Sequence, residues 1–198
     1  SVIVAEAIRR GIGIAVAESL TGGEIVSAFV SVPGASATVR GGVVAYDTRI
    51  KASVLGVDAE LLAREGAVHP EVAAQMAAGV RRVLAVDGVE VELGIATTGV
   101  AGPTEQDGHP VGLVYVAVSD ARGDEVREHR FVGERAQIRN AAVMAALELA
   151  AERLELGAQV RRARRAAGSG APRARHRRRR ARAGSGQRAA LALLPARD

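Results

Sequence analysis

Of the 27 basic side chains in this 198-residue sequence, only one, Lys51, is not an arginine. Arginine does not give up its proton inside a protein, whereas a lysine taken out of water titrates near neutrality and can act as a base. Two readings of Lys51 therefore stand: a position where arginine will not serve, or one surface lysine kept by chance. Tyr46, one of two tyrosines, lies five residues earlier and suits a proton relay, the orientation of a ring, or a half-buried core position. Candidate nucleophiles lie upstream, where Ser19 and Thr21 precede Gly22 and Gly23. A hydroxyl between a strand and a helix start has backbone N–H groups and the positive end of a helix dipole beside it, which suits an oxyanion or a phosphate. The same position is also the ordinary place of a helix N-cap. A third segment, TTGVAGP at residues 97–103, offers the Thr98 hydroxyl and two glycines, Gly99 and Gly102, where backbone can approach a ligand closely.

Other chemistries find little support. With no cysteine, disulfides, thiolate nucleophiles and Cys-ligated metals are excluded. The four histidines (His69, His109, His129, His176) are scattered without metal-ligand spacing, so no metal site is expected. Neither a G-x-x-x-x-G-K-[ST] phosphate loop nor a G-x-G-x-x-G dinucleotide fingerprint is present.

The three polar segments need elements that bring them together. Residues 2–10 have helical apolar spacing, and residues 12–17 (IGIAVA) form a short apolar run suited to a buried strand. Residues 24–32 read as a helix ended by Pro33-Gly34, and residues 42–46 (GVVAY) as a second strand. Short helices are expected over 50–55 and 58–65, the second with Asp58 as N-cap. Pro70 opens a long helix whose apolar face is Val72, Met76, Val80 and Val83. Residues 91–97 read as a third strand, 99–110 as a turn-rich loop, 111–118 and 125–132 as a hairpin around 120–124, and 134–156 as a closing helix. The last carries the stripe Ile138, Ala142, Ala145 and Leu149. Strands alternating with helices, then one hairpin, predict an α/β fold: a mixed sheet flanked by helices on both faces. All three polar segments then fall at C-terminal ends of strands, where open α/β sheets place their ligands.

Charge divides the chain in two. Residues 1–156 hold 14 basic and 21 acidic side chains, a balance of −7, whereas residues 157–198 hold 13 arginines and one acid, a balance of +12. The net +5 and the pI of about 10.8 therefore describe the tail. That tail, built from Arg, Ala, Gly, Ser and Pro, has almost nothing to bury and reads as a low-complexity extension expected to be disordered. Its arginines (Arg173, Arg175, Arg177 to Arg180, Arg182) could hold nucleic-acid phosphates by charge, with no aromatic interleaved for base stacking. No apolar run approaches a membrane span and no signal peptide is visible, so a soluble cytoplasmic protein is the expectation.

Seven ordered blocks carry a resemblance: AESLTGG (17–23), VPGAS (32–36), GGVVAYDTRIKASVLGV (41–57), GAVHPEVA (66–73), TTGVAGP (97–103), HPVGLVYVAV (109–118) and GERAQIR (133–139). In this order and spacing the sequence resembles the CinA C-terminal domain family of competence/damage-inducible proteins, over residues 2 to about 156. Enzymatic members of that family are nicotinamide mononucleotide deamidases. The resemblance implies a domain over residues 1–156, with the tail at 157–198 outside it. It implies catalytic roles for Ser19 as nucleophile and for Tyr46 and Lys51. It further implies substrate contacts from Thr98, from Ser36 after the Pro-Gly turn, and from Arg135 or Arg139 at the phosphate. Thr21, Gly22, Gly23, Gly99 and Gly102 complete the expected binding set, with the Gly22-Gly23 helix start or the Gly99 turn as oxyanion donors.

The expected reaction is hydrolysis of the carboxamide of nicotinamide mononucleotide to nicotinic acid mononucleotide and ammonia by a Ser–Lys mechanism, with Tyr46 as an optional relay. It needs no metal and no organic cofactor. A homo-oligomer is expected because relatives self-associate. Two alternatives belong to other classes: a module that binds the nucleotide without cleaving it, and a competence or DNA-associated protein acting through the basic tail.

Overall fold

A computed structural model describes residues 1–156 of the chain; the Arg-rich tail expected at 157–198 lies outside the described residues. The elements in chain order are α1 (Val2–Arg10), β1 (Ile14–Glu18), α2 (Glu24–Val30), a 3-10 turn (Ala35–Ala37), β2 (Val39–Val44), α3 (Thr48–Ser53), α4 (Ala59–Glu65), α5 (Pro70–Val83), β3 (Leu93–Gly99), β4 (Leu113–Asp120), β5 (Gly123–Arg130) and α6 (Arg135–Arg153). Five strands form one mixed sheet in the order β2-β1-β3-β4-β5. β1 runs parallel to β2 and β3, β4 antiparallel to β3, and β5 antiparallel to β4.

The two-residue period of the strands divides the core between two faces. Ile14 and Val16 of β1, Ile95 of β3 and Val114, Val116 and Val118 of β4 point to α1, α2 and α6. Ala15, Ala17, Ala96 and Ala117 point to the other face, where Val72, Met76 and Val80 of α5 cover them. The small residues on that face let α5 sit almost on the strands. A Cβ at Gly94 would lie 2.0 Å from the Ala77 carbonyl oxygen, and one at Gly79 would lie 1.9 Å from that of Leu55. Every residue of β1 is buried, as a strand second from the edge and covered on both sides must be.

The mixed sheet with helices on both faces agrees with the sequence reading, and several boundaries move. β2 begins at Val39 rather than at 42, and the hairpin strands sit two residues off the expected ones. Their turn is only Ala121-Arg122, because Asp120 still pairs with Gly123 and its carboxylate accepts the Arg122 amide. Val83 of the expected α5 face is exposed. Gly94, at the start of β3, already packs beneath Ala77 and Arg81, so the last turn of α5 runs past the strand. Asp58 caps α4 as expected, accepting the amides of Glu60 and Leu61. Among the described residues no helix is long and apolar enough to cross a membrane.

Candidate active site

Parallel pairing puts the C-terminal ends of β1, β2 and β3 on one edge of the sheet. The antiparallel return through β4 and β5 delivers the β3–β4 loop and the start of α6 to that same edge. A cleft of about 340 Å³ opens there, lined by Ser19, Tyr46, Lys51, Thr98, Gly99, Gly102 and Arg135 together with loop residues Thr104, Glu105 and Gln106.

At its floor, Lys51 donates from Nζ to Ser19 Oγ at 3.2 Å and to the Ala45 carbonyl at 2.7 Å. α3 delivers this lysine inward: Asp47 caps the helix by accepting the Arg49 amide, and Lys51 sits on its buried side. Ala45 is held in turn by donating its amide to the Glu18 carbonyl at 2.8 Å, one step beyond the β1–β2 ladder. Lys51 is 1% exposed. Burial disfavours its charged form and lowers its pKa from 10.5 to about 8, against a smaller opposing pull from the Asp47 carboxylate. A lysine with a fixed acceptor on one side and a serine hydroxyl on the other keeps its lone pair, once deprotonated, for that hydroxyl.

Tyr46 does not touch this pair. Its ring is 63% exposed, and its hydroxyl accepts from Arg135 Nη2 at 3.0 Å, while Arg135 Nη1 donates to the Gly102 carbonyl at 2.5 Å. Since Lys51 meets Ser19 directly, no relay through Tyr46 is needed. Thr98 is buried and donates to the Ala67 carbonyl at 2.7 Å, joining β3 to the segment before α5. Gly99 is required by packing, because a Cβ there would lie 2.6 Å from the Leu113 carbonyl oxygen. Gly102 has φ +83°, and its Cβ would press on Val111.

The Ser19 turn is held from below by a residue the sequence reading passed over. Glu18, the last residue of β1, is wholly buried. Its carboxylate accepts the amides of Gly23 (2.9 Å), Ile25 (3.1 Å) and Val26 (2.9 Å). The N-cap position of α2 is Gly23, which has no side chain to satisfy the first-turn amides. That missing cap is the sequence signal from which Glu18 could have been found.

This arrangement corrects the expectation that the Gly22-Gly23 helix start supplies an oxyanion site. The Gly23 amide belongs to Glu18, and that of Gly22 donates to the Ser19 carbonyl at 3.1 Å. Among the described residues, the backbone amides of Leu20 and Thr21 have no such partner. Thr21 itself stands outside the cleft, its buried hydroxyl bonded to that of Thr97 at 2.9 Å. Arg139 also lies outside the cleft lining, engaged with the carbonyls of Leu20 and Thr21. Ser36 is exposed on the 3-10 turn beside a separate hollow lined by Val30, Val32, Pro33 and Val39, so within one chain it does not join the others. Among the described residues no group of three or more His, Cys, Asp or Glu side chains could hold a metal ion.

Comparison with known proteins agrees with this architecture. A protein of Desulforamulus reducens is 51% identical over 143 residues, which are 72% of this chain and 34% of that protein. A "CinA-like protein" of Frankia casuarinae is 47% identical over 148 residues, 75% of this chain and 33% of that one. The chain thus spans about a third of the length of these relatives. Among solved structures, the competence/damage inducible protein CihA of Agrobacterium tumefaciens superposes with a TM-score of 0.69 at 36% identity, covering 74% of this chain and 88% of that one. A competence-damaged protein (CinA) superfamily member of Klebsiella pneumoniae superposes with a TM-score of 0.72 at 30% identity, covering 77% and 93%. The model of the CinA C-terminal domain matches residues 1–154, and with the fold in agreement, the chain belongs to the CinA C-terminal domain family.

Proposed function

We propose that the chain is a nicotinamide-nucleotide amidase, which hydrolyses the carboxamide of nicotinamide mononucleotide to nicotinic acid mononucleotide and ammonia. The observation that carries the reading is the buried Lys51–Ser19 contact at 3.2 Å, with the lysine pKa lowered to about 8.

Neutral Lys51 takes the Ser19 hydroxyl proton as Oγ attacks the carboxamide carbon. The oxyanion that forms is met by the backbone amide of Leu20, the residue after the nucleophile, a contribution of about 3–4 kcal/mol in other hydrolases. The Lys51 ammonium returns its proton to the amide nitrogen, the C–N bond breaks, and ammonia leaves an ester on Ser19. Water then attacks that ester while giving a proton to Lys51. The acid departs, and Ser19 recovers its proton from Lys51.

Arg135 suits the ribotide phosphate. Two of its five N–H groups are spent on Gly102 and Tyr46, which aim it and leave three for an anion. The exposed Tyr46 ring beside it suits a flat pyridinium.

The test is ammonia release from nicotinamide mononucleotide, with nicotinic acid mononucleotide followed by chromatography. Wild type is expected to turn over, and Ser19→Ala to lose at least about 10³-fold in kcat. Thermal stabilisation by the nucleotide without ammonia release would instead favour a binding module in the same cleft.

A further inference from the structure

We infer that Arg139 is a positioning residue for the nucleophile turn, leaving Arg135 as the arginine that meets the substrate's anion; the inference rests on the amidase reading. The two arginines stand four residues apart on α6 and so share one helix face, but their guanidinium groups do different things. Arg135 lies in the cleft with only neutral partners, the Gly102 carbonyl and the Tyr46 hydroxyl. Arg139 is already committed: Nε donates to the Leu20 carbonyl at 2.9 Å, Nη2 to the Thr21 carbonyl at 3.0 Å, and Nη2 pairs with Glu24 Oε1 at 2.6 Å.

Those acceptors are the peptide units that follow Ser19. A peptide is planar and trans, so a carbonyl turned toward Arg139 turns the N–H of the same unit away from it. The Leu20 carbonyl therefore fixes the direction of the Thr21 amide, and the Thr21 carbonyl that of the Gly22 amide. The second of these is seen closing the turn onto the Ser19 carbonyl at 3.1 Å. Glu18 holds the helix that follows and the Thr21–Thr97 hydroxyl pair holds the side chain; Arg139 shares the Thr21 carbonyl with the Glu24 amide (3.3 Å), but among the described residues it alone holds the Leu20 carbonyl. Without Arg139 the turn stays anchored at its ends while the Leu20–Thr21 peptide plane, directly after the Ser19–Leu20 unit, loses its setting. A planar fork spans two carbonyls and a carboxylate at once, which a lysine ammonium on a flexible stem does not reproduce.

The experiment measures kcat and KM for ammonia release by the full chain and its Arg139→Ala, Arg139→Lys and Arg135→Ala variants, on nicotinamide mononucleotide and on its phosphate-free riboside. For Arg139→Ala, kcat is expected to fall by about 10²-fold on both substrates, with KM little changed. Arg139→Lys should recover part of that loss, and added guanidinium ion should restore part of the Arg139→Ala rate. Arg135→Ala is expected to raise KM about tenfold or more on the phosphorylated substrate alone. A KM rise for Arg139→Ala confined to the phosphorylated substrate, or an unchanged kcat, overturns the inference while leaving the amidase reading intact. A folded wild type that releases no ammonia from either substrate overturns the amidase reading itself, and this inference with it.

Discussion

A lysine pKa near 8 makes two quantities depend on pH, and both follow from Lys51 alone. Activity needs the neutral amine, so kcat/KM is expected to climb about tenfold per pH unit below 8 and level off above it, read directly from a pH–rate profile. Stability moves through a neighbouring window. The unfolded chain holds the Lys51 proton up to about pH 10.5 and the folded chain only up to about 8, so between those values the unfolded state binds more protons and stability rises with pH. Relative to Lys51→Met, the wild type should gain up to about 3 kcal/mol across that window and nothing below it, measured by denaturant unfolding at pH 7 and pH 10.5. Lys51 was legible in the sequence because its type is unique in an arginine-rich chain. Glu18 was not, and Arg139 was marked only by resemblance and as an alternative to Arg135 at the phosphate, because one carboxylate among 22 and one arginine among 26 look like solvated charge until the fold shows what they accept and donate.

The cleft exists because three strand ends, one loop and one helix start share an edge, and two contacts between elements set its shape. Glu18→Gln replaces one of the carboxylate oxygens that accept α2 amides with an amide donor. It is expected to cost about 2 kcal/mol, a fall of roughly 4–8 °C in Tm by calorimetry. Gly79→Ala would place a methyl 1.9 Å from the Leu55 carbonyl oxygen, forcing α5 off the chain between α3 and α4, with an expected loss of about 1–3 kcal/mol. The elements themselves were readable where periodicity and caps are strong: α5 behind Pro70, α4 behind Asp58 and the buried run of β1. Boundaries slipped where the signal is local backbone chemistry, as at β2, whose Val39-Arg40-Gly41 start lacks an apolar run, and at the two-residue turn after β4. Ser36, Thr21, Gly22 and Gly23 sit in conspicuous motifs without lining the cleft. A motif records that a backbone path is demanding, and here the demand at 21–23 is the tight passage from β1 into α2.

At the scale of the molecule, every residue assigned a part in the reaction lies between Ser19 and Arg139, and both faces of the sheet are covered by helices from residues 1–156. Removal of residues 157–198 is therefore expected to leave kcat and KM for the amide within about twofold. A steep salt-dependent affinity for DNA in the intact chain, lost on that truncation, would assign the tail a separate role. Whether the buried Ser–Lys pair cleaves a nucleotide carboxamide, as proposed, is decided by ammonia release from nicotinamide mononucleotide by wild type, Lys51→Met and Lys51→Arg. Turnover by the wild type and none by either variant is expected, since neither methionine nor arginine can take a proton from Ser19. Undiminished turnover by either variant would contradict it.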